Sequence, residues 1–255
     1  MILADWLAAK PFGLAMSSGF FSFFAHTGMM SALIERGLRP SRVAGSSAGA
    51  LVGGAWAAGL EPDQLADTLL QIQRDDFWDP APGFGLLRGK LFDRLLRDML
   101  PVDRLERGRV PIQISVFDIV RRRTEVLRAG DLPTAIRASC AVPGLFHPVW
   151  IGRKPYWDGG ILDRPGIAGI AEGERLLFHH IAARSPLRAA DLLPPRRREM
   201  TTLVIDDLPR SGPTKLDAGR RALALAREAT RRALDLPIAD GVVQIASRET
   251  HAPHA

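Results

Sequence analysis

Residues 45–49 read Gly45-Ser46-Ser47-Ala48-Gly49, between a short apolar strand ending at Val43-Ala44 and a buried helix-like run, Ala50 to Ala58. A chain that passes from strand to helix in so few residues must turn sharply, and the residue at the tip takes a strained backbone. Glycines two residues to either side remove Cβ atoms that would collide there. The tip is Ser47, its hydroxyl raised above the sheet beside a helix N-terminus. The unpaired N–H groups and partial positive charge of that helix end favour a developing oxyanion. The spacing is that of a nucleophile elbow, with Gly45 and Gly49 as its permissive positions.

The rest of the chain alternates in the same manner. Phe12 to Ser17 reads as a first strand and Ser22 to Arg36 as a helix with a broad apolar face, stopped by Gly37. Ser41 to Ala44 is a second strand, and Pro62 opens a helix running to about Arg74. Trp78 to Gly85 is irregular, and Leu91 to Leu100 is amphipathic. Val110 to Asp118 and Thr124 to Arg128 form a hairpin across Arg121-Arg122-Arg123. Leu132 to Ser139 is a short helix; Phe146 to Ile151 and Pro155 to Trp157 are strand-like. Leu176 to Ala182 is a buried strand, and Arg184 to Arg198 a loop or linker. Thr202 to Asp206 is a strand and Lys215 to Leu234 a long helix. This order predicts an α/β fold with a central, mostly parallel sheet covered by helices on both faces. Residues 1–255 read as one domain, with a frayed tail after about residue 247.

The chain is 46% hydrophobic and 24% charged, with a formal net charge of +6. Lysine occurs only at Lys10, Lys90, Lys154 and Lys215, so arginine carries most of the positive charge. That charge reads either as compositional bias or as attraction to anionic surfaces such as phospholipid headgroups. Neither an aromatic-rich RNA-binding signature nor zinc-finger spacing accompanies it, so nucleic acid is not the expected partner. The one cysteine, Cys140, excludes an internal disulfide framework and reads as a small core residue. Asp5 and Lys10 interrupt the first residues, so no secretory signal is read there. Two long uncharged stretches, Pro11 to Ile34 and Val43 to Leu60, are too broken by polar and small residues to span a bilayer. The expectation is a cytoplasmic protein, soluble or peripheral at an anionic membrane; no signal for an oligomeric state is present.

A serine hydroxyl attacks only if a base takes its proton. One option is histidine, with an acid, in the order Ser, Asp, His. His251 and His254 sit in the tail, His147 in a strand-like stretch before Pro148, and His179 and His180 in a strand interior that suits structure better. His26 reads as a satisfied structural histidine. The other option is a carboxylate acting directly. Tyr156-Trp157-Asp158-Gly159-Gly160 puts Asp158 at a strand end, partly desolvated by aromatic neighbours, with two glycines that permit a tight turn. Asp118 and Asp163 are spare carboxylates, Asp163 as a cap for a helix from Arg164.

Four ordered blocks resemble a family. Leu14 to Gly19, then Ala25-His26-Thr27-Gly28 with Ala32 to Gly37, then the elbow, resemble the start of the patatin-like phospholipases. Ala135 to Phe146 is similar to that family's block before its second catalytic motif, which follows as Asp158-Gly159-Gly160-Ile161-Leu162-Asp163. The resemblance covers about residues 12 to 182. It implies the family's three-layer α/β sandwich and a serine acyl hydrolase of lipid or other carboxylic esters, working through an acyl-enzyme without metal or cofactor. Ser47 would be the nucleophile and Asp158 the base, with no histidine needed.

The family's oxyanion loop is usually Gly-Gly-Gly-x-Arg/Lys-Gly, whereas this chain has Ser18-Gly19-Phe20-Phe21-Ser22-Phe23. Gly19 and Phe20 can still offer backbone N–H groups, but the basic residue is replaced by Ser22. Two alternatives follow: a catalytically weakened member that binds lipid or a partner, and a Ser-His-Asp hydrolase using His179 or His180. The run Phe20-Phe21-Ser22-Phe23-Phe24 reads either as core packing or as the wall of an acyl-chain pocket. Gly28 reads as a point of close helix packing.

Overall fold

In the computed structural model, which describes residues 1–181 and 195–248, the strands assemble into a nine-stranded sheet. Helix α1 (Leu3–Ala9) precedes β1 (Gly13–Met16), α2 (Phe23–Glu35), β2 (Arg42–Ser46), α3 (Ala48–Ala57) and α4 (Pro62–Gln71). Then come β3 (Gly85–Leu87), α5 (Lys90–Met99), β4 (Ile112–Asp118), β5 (Arg123–Leu127) and α6 (Leu132–Ser139). The described part closes with β6 (Gly144–Phe146), β7 (Val149–Ile151), β8 (Lys154–Asp158), β9 (Leu176–His180), β10 (Met200–Asp206), α7 (Leu216–Leu234) and β11 (Val242–Ala246). The sheet runs β11-β10-β9-β1-β2-β4-β8-β7, with β5 paired to β4. The six strands from β11 to β4 are mutually parallel, and β5, β8 and β7 are antiparallel to their neighbours.

Alternation along the strands divides the core. Leu14, Met16, Val43, Leu177 and Leu203 face the large core shared with the helices. Ala15, Ala44, Leu176, Phe178 and Met200 face the other way, where Ile167 and Ile170 cover them. The result is a three-layer α/β sandwich about a mostly parallel sheet. The most extensive helix contact among the described residues is α2 on α7, where a Cβ on Gly28 would overlap the Leu223 carbonyl oxygen, so Gly28 serves close packing.

Several expectations change. The expected strand Phe146 to Ile151 is two strands in two sheets, because Pro148 cannot donate to a ladder: β6 pairs with β3 and β7 with β8. Asp163 caps no helix; its carboxylate instead accepts the N–H groups of Gly166, Ile167 and Ala168 in consecutive turns. Helix α1 and strands β3 and β11 had no strong periodic signal. Most of the expected loop from Arg184 to Arg198, and the tail beyond residue 248, lie outside the described residues.

Candidate active site

Strand β4 brings two distant segments together. Both β5 and β2 pair with Ile114 and Ser115, so they flank β4 on opposite edges; β8 and β5 both pair with residues 116–118, so β8 shares the β2 edge. On that edge β2 ends with Ser46 opposite Ser115, and β8, running the other way, ends with Asp158 opposite Val116. The two strand ends meet head-on, and the residues that leave them are Ser47 and the turn from Asp158.

Ser47 has φ 52° and ψ −117°, a left-handed backbone for a residue with a side chain. Such a conformation costs on the order of 1–3 kcal/mol and persists only where the surroundings enforce it. They do so here. A Cβ on Gly45 would overlap the Gly49 backbone, and one on Gly49 would overlap the Met16 carbonyl oxygen. The Ser47 N–H donates to Ser139 Oγ at 2.8 Å, and that hydroxyl donates on to the Ser115 carbonyl at 2.7 Å. Ser139, at the end of α6, thus ties the elbow to β4; nothing in its spacing marked it.

Asp158 is 5% exposed. Its Oδ1 accepts the Gly160 N–H at 2.7 Å, while Oδ2 is buried without a hydrogen-bond partner. Burial pushes its pKa up to about 6, against the opposing pull of the Ser47 hydroxyl, the Gly160 N–H and the Arg164 charge. Ser47 is therefore close enough to favour the carboxylate without having formed a well-aligned bond to Oδ2, a looseness common in unliganded sites. A Cβ on Gly159 would overlap the Ser115 carbonyl oxygen and one on Gly160 the Ser18 hydroxyl, so both glycines serve close approach.

Cys140 is at this site rather than in the general core. Burial first, and then the Asp158 charge, raise its thiol well above the ordinary value, and the Ser47 hydroxyl acts on it in the opposite sense. It is a neutral thiol beside the serine and the carboxylate. The histidines lie elsewhere: His26 Nδ1 meets His179 Nδ1, and His147 Nε2 meets the Ala81 carbonyl. His251 and His254 fall outside the described residues. Among the described residues, no group of three or more His, Cys, Asp or Glu side chains converges as a metal site.

The loop after β1 faces the elbow. Ser17 spends its N–H on the His179 carbonyl and its hydroxyl on accepting the Ile181 N–H, and the Ser18 N–H goes to the Arg164 carbonyl at 2.7 Å. The next N–H groups, of Gly19 and Phe20, have no acceptor among the described residues. The left-handed residue of this loop is Phe21, at φ 56°, not Phe20. Uncapped N–H groups at the start of α3 point to the same region, since Ser47 caps that helix with no side-chain bond.

Two cavities meet at this loop. One encloses about 90 Å³ and is almost wholly apolar, with Ser47 and Cys140 beside Phe21, Phe23, Leu96 and Phe146. Phe24, by contrast, is fully buried in the core, so the phenylalanine run both packs and lines. The other cavity, about 530 Å³, lies across Gly19-Phe20 and includes Arg164, Asp206, Asp207 and Arg210.

A family model described as Patatin-like phospholipase matches residues 14–169. An uncharacterized NTE family protein of Mycobacterium tuberculosis is 36% identical over 161 residues, covering 62% of this chain and 45% of that one. The Lysophospholipase NTE1 of Mycosarcoma maydis is 28% identical over 184 residues, which is 69% of this chain and 10% of that protein. The chain thus spans less than half the length of these curated relatives. The crystal structure of VipD from Legionella pneumophila superposes with a TM-score of 0.58 over 89% of this chain and 67% of that one, at 15% identity, and so shares the fold. With more than half of its residues matched by the family model, in the region that builds the elbow and the Asp158 turn, the chain belongs to the patatin-like phospholipase family.

Proposed function

We propose that the chain is a serine acyl hydrolase that cleaves carboxylic esters of lipids with a Ser47–Asp158 dyad. The observation that carries this reading is the meeting of a strained serine at the tip of a sharp turn with a buried carboxylate whose Oδ2 has no other partner. Asp158 takes the Ser47 proton as Oγ attacks the ester carbonyl. The Gly19 and Phe20 amides and the start of α3 hold the oxyanion. The proton passes to the leaving alcohol, and Asp158 then activates the water that releases the acid. The apolar cavity takes the acyl chain. The phospholipase names of the family and of one relative support a lipid substrate. Phe20 and Leu162, 55% and 59% exposed on the turns that flank the dyad, suit a peripheral approach to an anionic membrane surface. Among the described residues, no helix is long and apolar enough to cross one.

The test is labelling with a fluorophosphonate, mapped by mass spectrometry, alongside hydrolysis of a nitrophenyl ester. Label on Ser47 with matching loss of hydrolysis is expected; absent turnover, or label elsewhere, removes the reading. The replacement of the loop's basic residue by Ser22 favours a second reading, a weakened member that binds lipid. That reading takes over if anionic vesicles co-sediment with the protein while Ser47 stays unlabelled.

The acidic limb of the rate profile follows from Asp158. A base works ionised, so hydrolysis is expected to rise as pH passes about 6 and to level off above it. Arg164 favours the ionised form, so Arg164→Met is expected to move that limb to higher pH. An unmoved limb would show that the Arg164 charge does not reach the carboxylate.

A further inference from the structure

The peptide plane between Ser17 and Ser18 is held at both ends. Its N–H goes to the Arg164 carbonyl at 2.7 Å, and its carbonyl accepts from His26 Nε2 at 2.8 Å. A carbonyl oxygen can only accept, so His26 carries its proton on Nε2. His26 and His179 are both fully buried. Burial holds His26 down to about 4 and His179 well below its ordinary value, with His180 pushing in the same direction, so both rings are neutral at neutral pH. A neutral His26 protonated on Nε2 has a bare Nδ1. The 2.8 Å contact between the two Nδ1 atoms therefore requires the proton to sit on His179 Nδ1. His179 Nε2 is then bare as well, and it is buried without a partner. One chain of donors, from β9 through α2 to the Ser17 carbonyl, fixes both tautomers.

We propose that the His26–His179 pair is the positioning element of the oxyanion loop, setting through the Ser17 carbonyl the direction of the Gly19 and Phe20 amides. This rests on the hydrolase reading above. The loop has neither the run of glycines nor the basic residue usual for its family, so its amides need another source of orientation. The pinned plane immediately precedes the peptide that carries the Gly19 N–H, and few torsions separate the two. An apolar residue in place of His26 would leave a buried carbonyl unpaired and that plane held at one end only. A shift of about 1 Å in such donors costs on the order of a hundredfold in rate.

Nitrogen spectra of isotope-labelled histidine in the full chain read the tautomers without any need for turnover. The expected pattern is Nε2–H for His26 and Nδ1–H for His179, with neither ring titrating near neutral pH. The opposite tautomers, or a ring protonated near neutral pH, would overturn the proposal. The second arm compares His26→Leu with His26→Gln, whose amide can still donate to the Ser17 carbonyl. In the leucine variant kcat and the fluorophosphonate inactivation rate are expected to fall about 100-fold with KM within about threefold, while glutamine recovers most of the loss. The Gly19 and Phe20 amide resonances are expected to move in the leucine variant and to stay in the glutamine variant. A folded leucine variant with wild-type kcat and unmoved amides, or equal losses in both variants, would refute the positioning role. If His26→Leu does not fold, the tautomers and the glutamine variant decide. Wild-type protein without serine-dependent turnover would instead remove the hydrolase reading, leaving tautomers and amide shifts to judge the loop.

Discussion

Asp158→Asn is expected to lower ester hydrolysis by roughly two to four orders of magnitude while making the protein more stable at neutral pH. The first effect is the loss of the only base placed to take the Ser47 proton in the proposed mechanism. The second follows from burial. Asp158 titrates near 6 in the folded chain against 3.8 as an unperturbed group. The folded state therefore binds the proton more tightly than the unfolded state. Stability from this group is fully present below about pH 3.8 and is lost as pH rises through about 6. At neutral pH the ionised, buried carboxylate costs on the order of 3 kcal/mol relative to its protonated form. Asparagine keeps an oxygen for the Gly160 N–H and carries no charge. Thermal unfolding against pH is expected to show the variant melting several degrees higher at pH 7 to 8, about 2–4 °C per kcal/mol for a chain of this size. The two proteins are expected to converge below about pH 5 as Asp158 takes up its proton. Parallel curves at every pH would mean that Asp158 titrates as an ordinary carboxylate, and the proposed base would then lose its physical support.

Which parts of the chain are legible as sequence depends on whether the constraint is local. The elbow was legible because its constraint is local: a strand, a strained tip, a helix and two glycines lie within a dozen residues. The parallel sheet was legible from the alternation of apolar runs, and Gly28 from the oddity of glycine inside a helix. Asp158 could be singled out only as a turn carboxylate until the four blocks were read together. Its approach to Ser47 depends on β8 and β2 sharing one edge of β4, and register across the 110 residues between Ser47 and Asp158 leaves no periodic trace. Cys140 and Ser139 show the same limit. Each sits among apolar neighbours along the sequence, and each reaches the elbow only through the packing of α6 on β4. The misread strand at Phe146 to Ile151 has a different cause. Its apolar residues lie close together, but His147 and Pro148 divide them, and each half finds a different sheet. His26 and His179 are both buried, and their proposed link to the loop after β1 lies in one carbonyl that no pattern of side chains records.

Gly49→Ala is expected to abolish labelling of Ser47 and to destabilise the fold by at least about 3 kcal/mol, although alanine is the better helix former. Gly49 lies in the first turn of α3, where its Cα faces the last residue of β1. An added methyl would overlap the carbonyl oxygen of Met16, and its carbon beyond, both of them backbone. Backbone in a central parallel strand cannot yield as a flexible side chain does, so α3 must move away from β1. That movement separates the two parts of the proposed site, because Ser47 begins α3 and the loop with Gly19 and Phe20 leaves β1. Gly53→Ala, one turn further along the same helix, provides the comparison. Its nearest neighbour is the terminal Cε of Met16 at 3.2 Å, which can swing aside, and the gain in helix propensity of up to about 1 kcal/mol offsets the crowding. Chemical unfolding of the two variants, together with fluorophosphonate labelling, separates close approach from a general intolerance of bulk in α3. A Gly49→Ala protein that unfolds and labels like Gly53→Ala would mean that the elbow is not held by contact with β1. Equal and severe damage in both would place the constraint in the helix as a whole. The expected asymmetry instead ties the strained serine to the strand that carries the proposed oxyanion loop, so that the proposed nucleophile and amides keep their spacing as one unit.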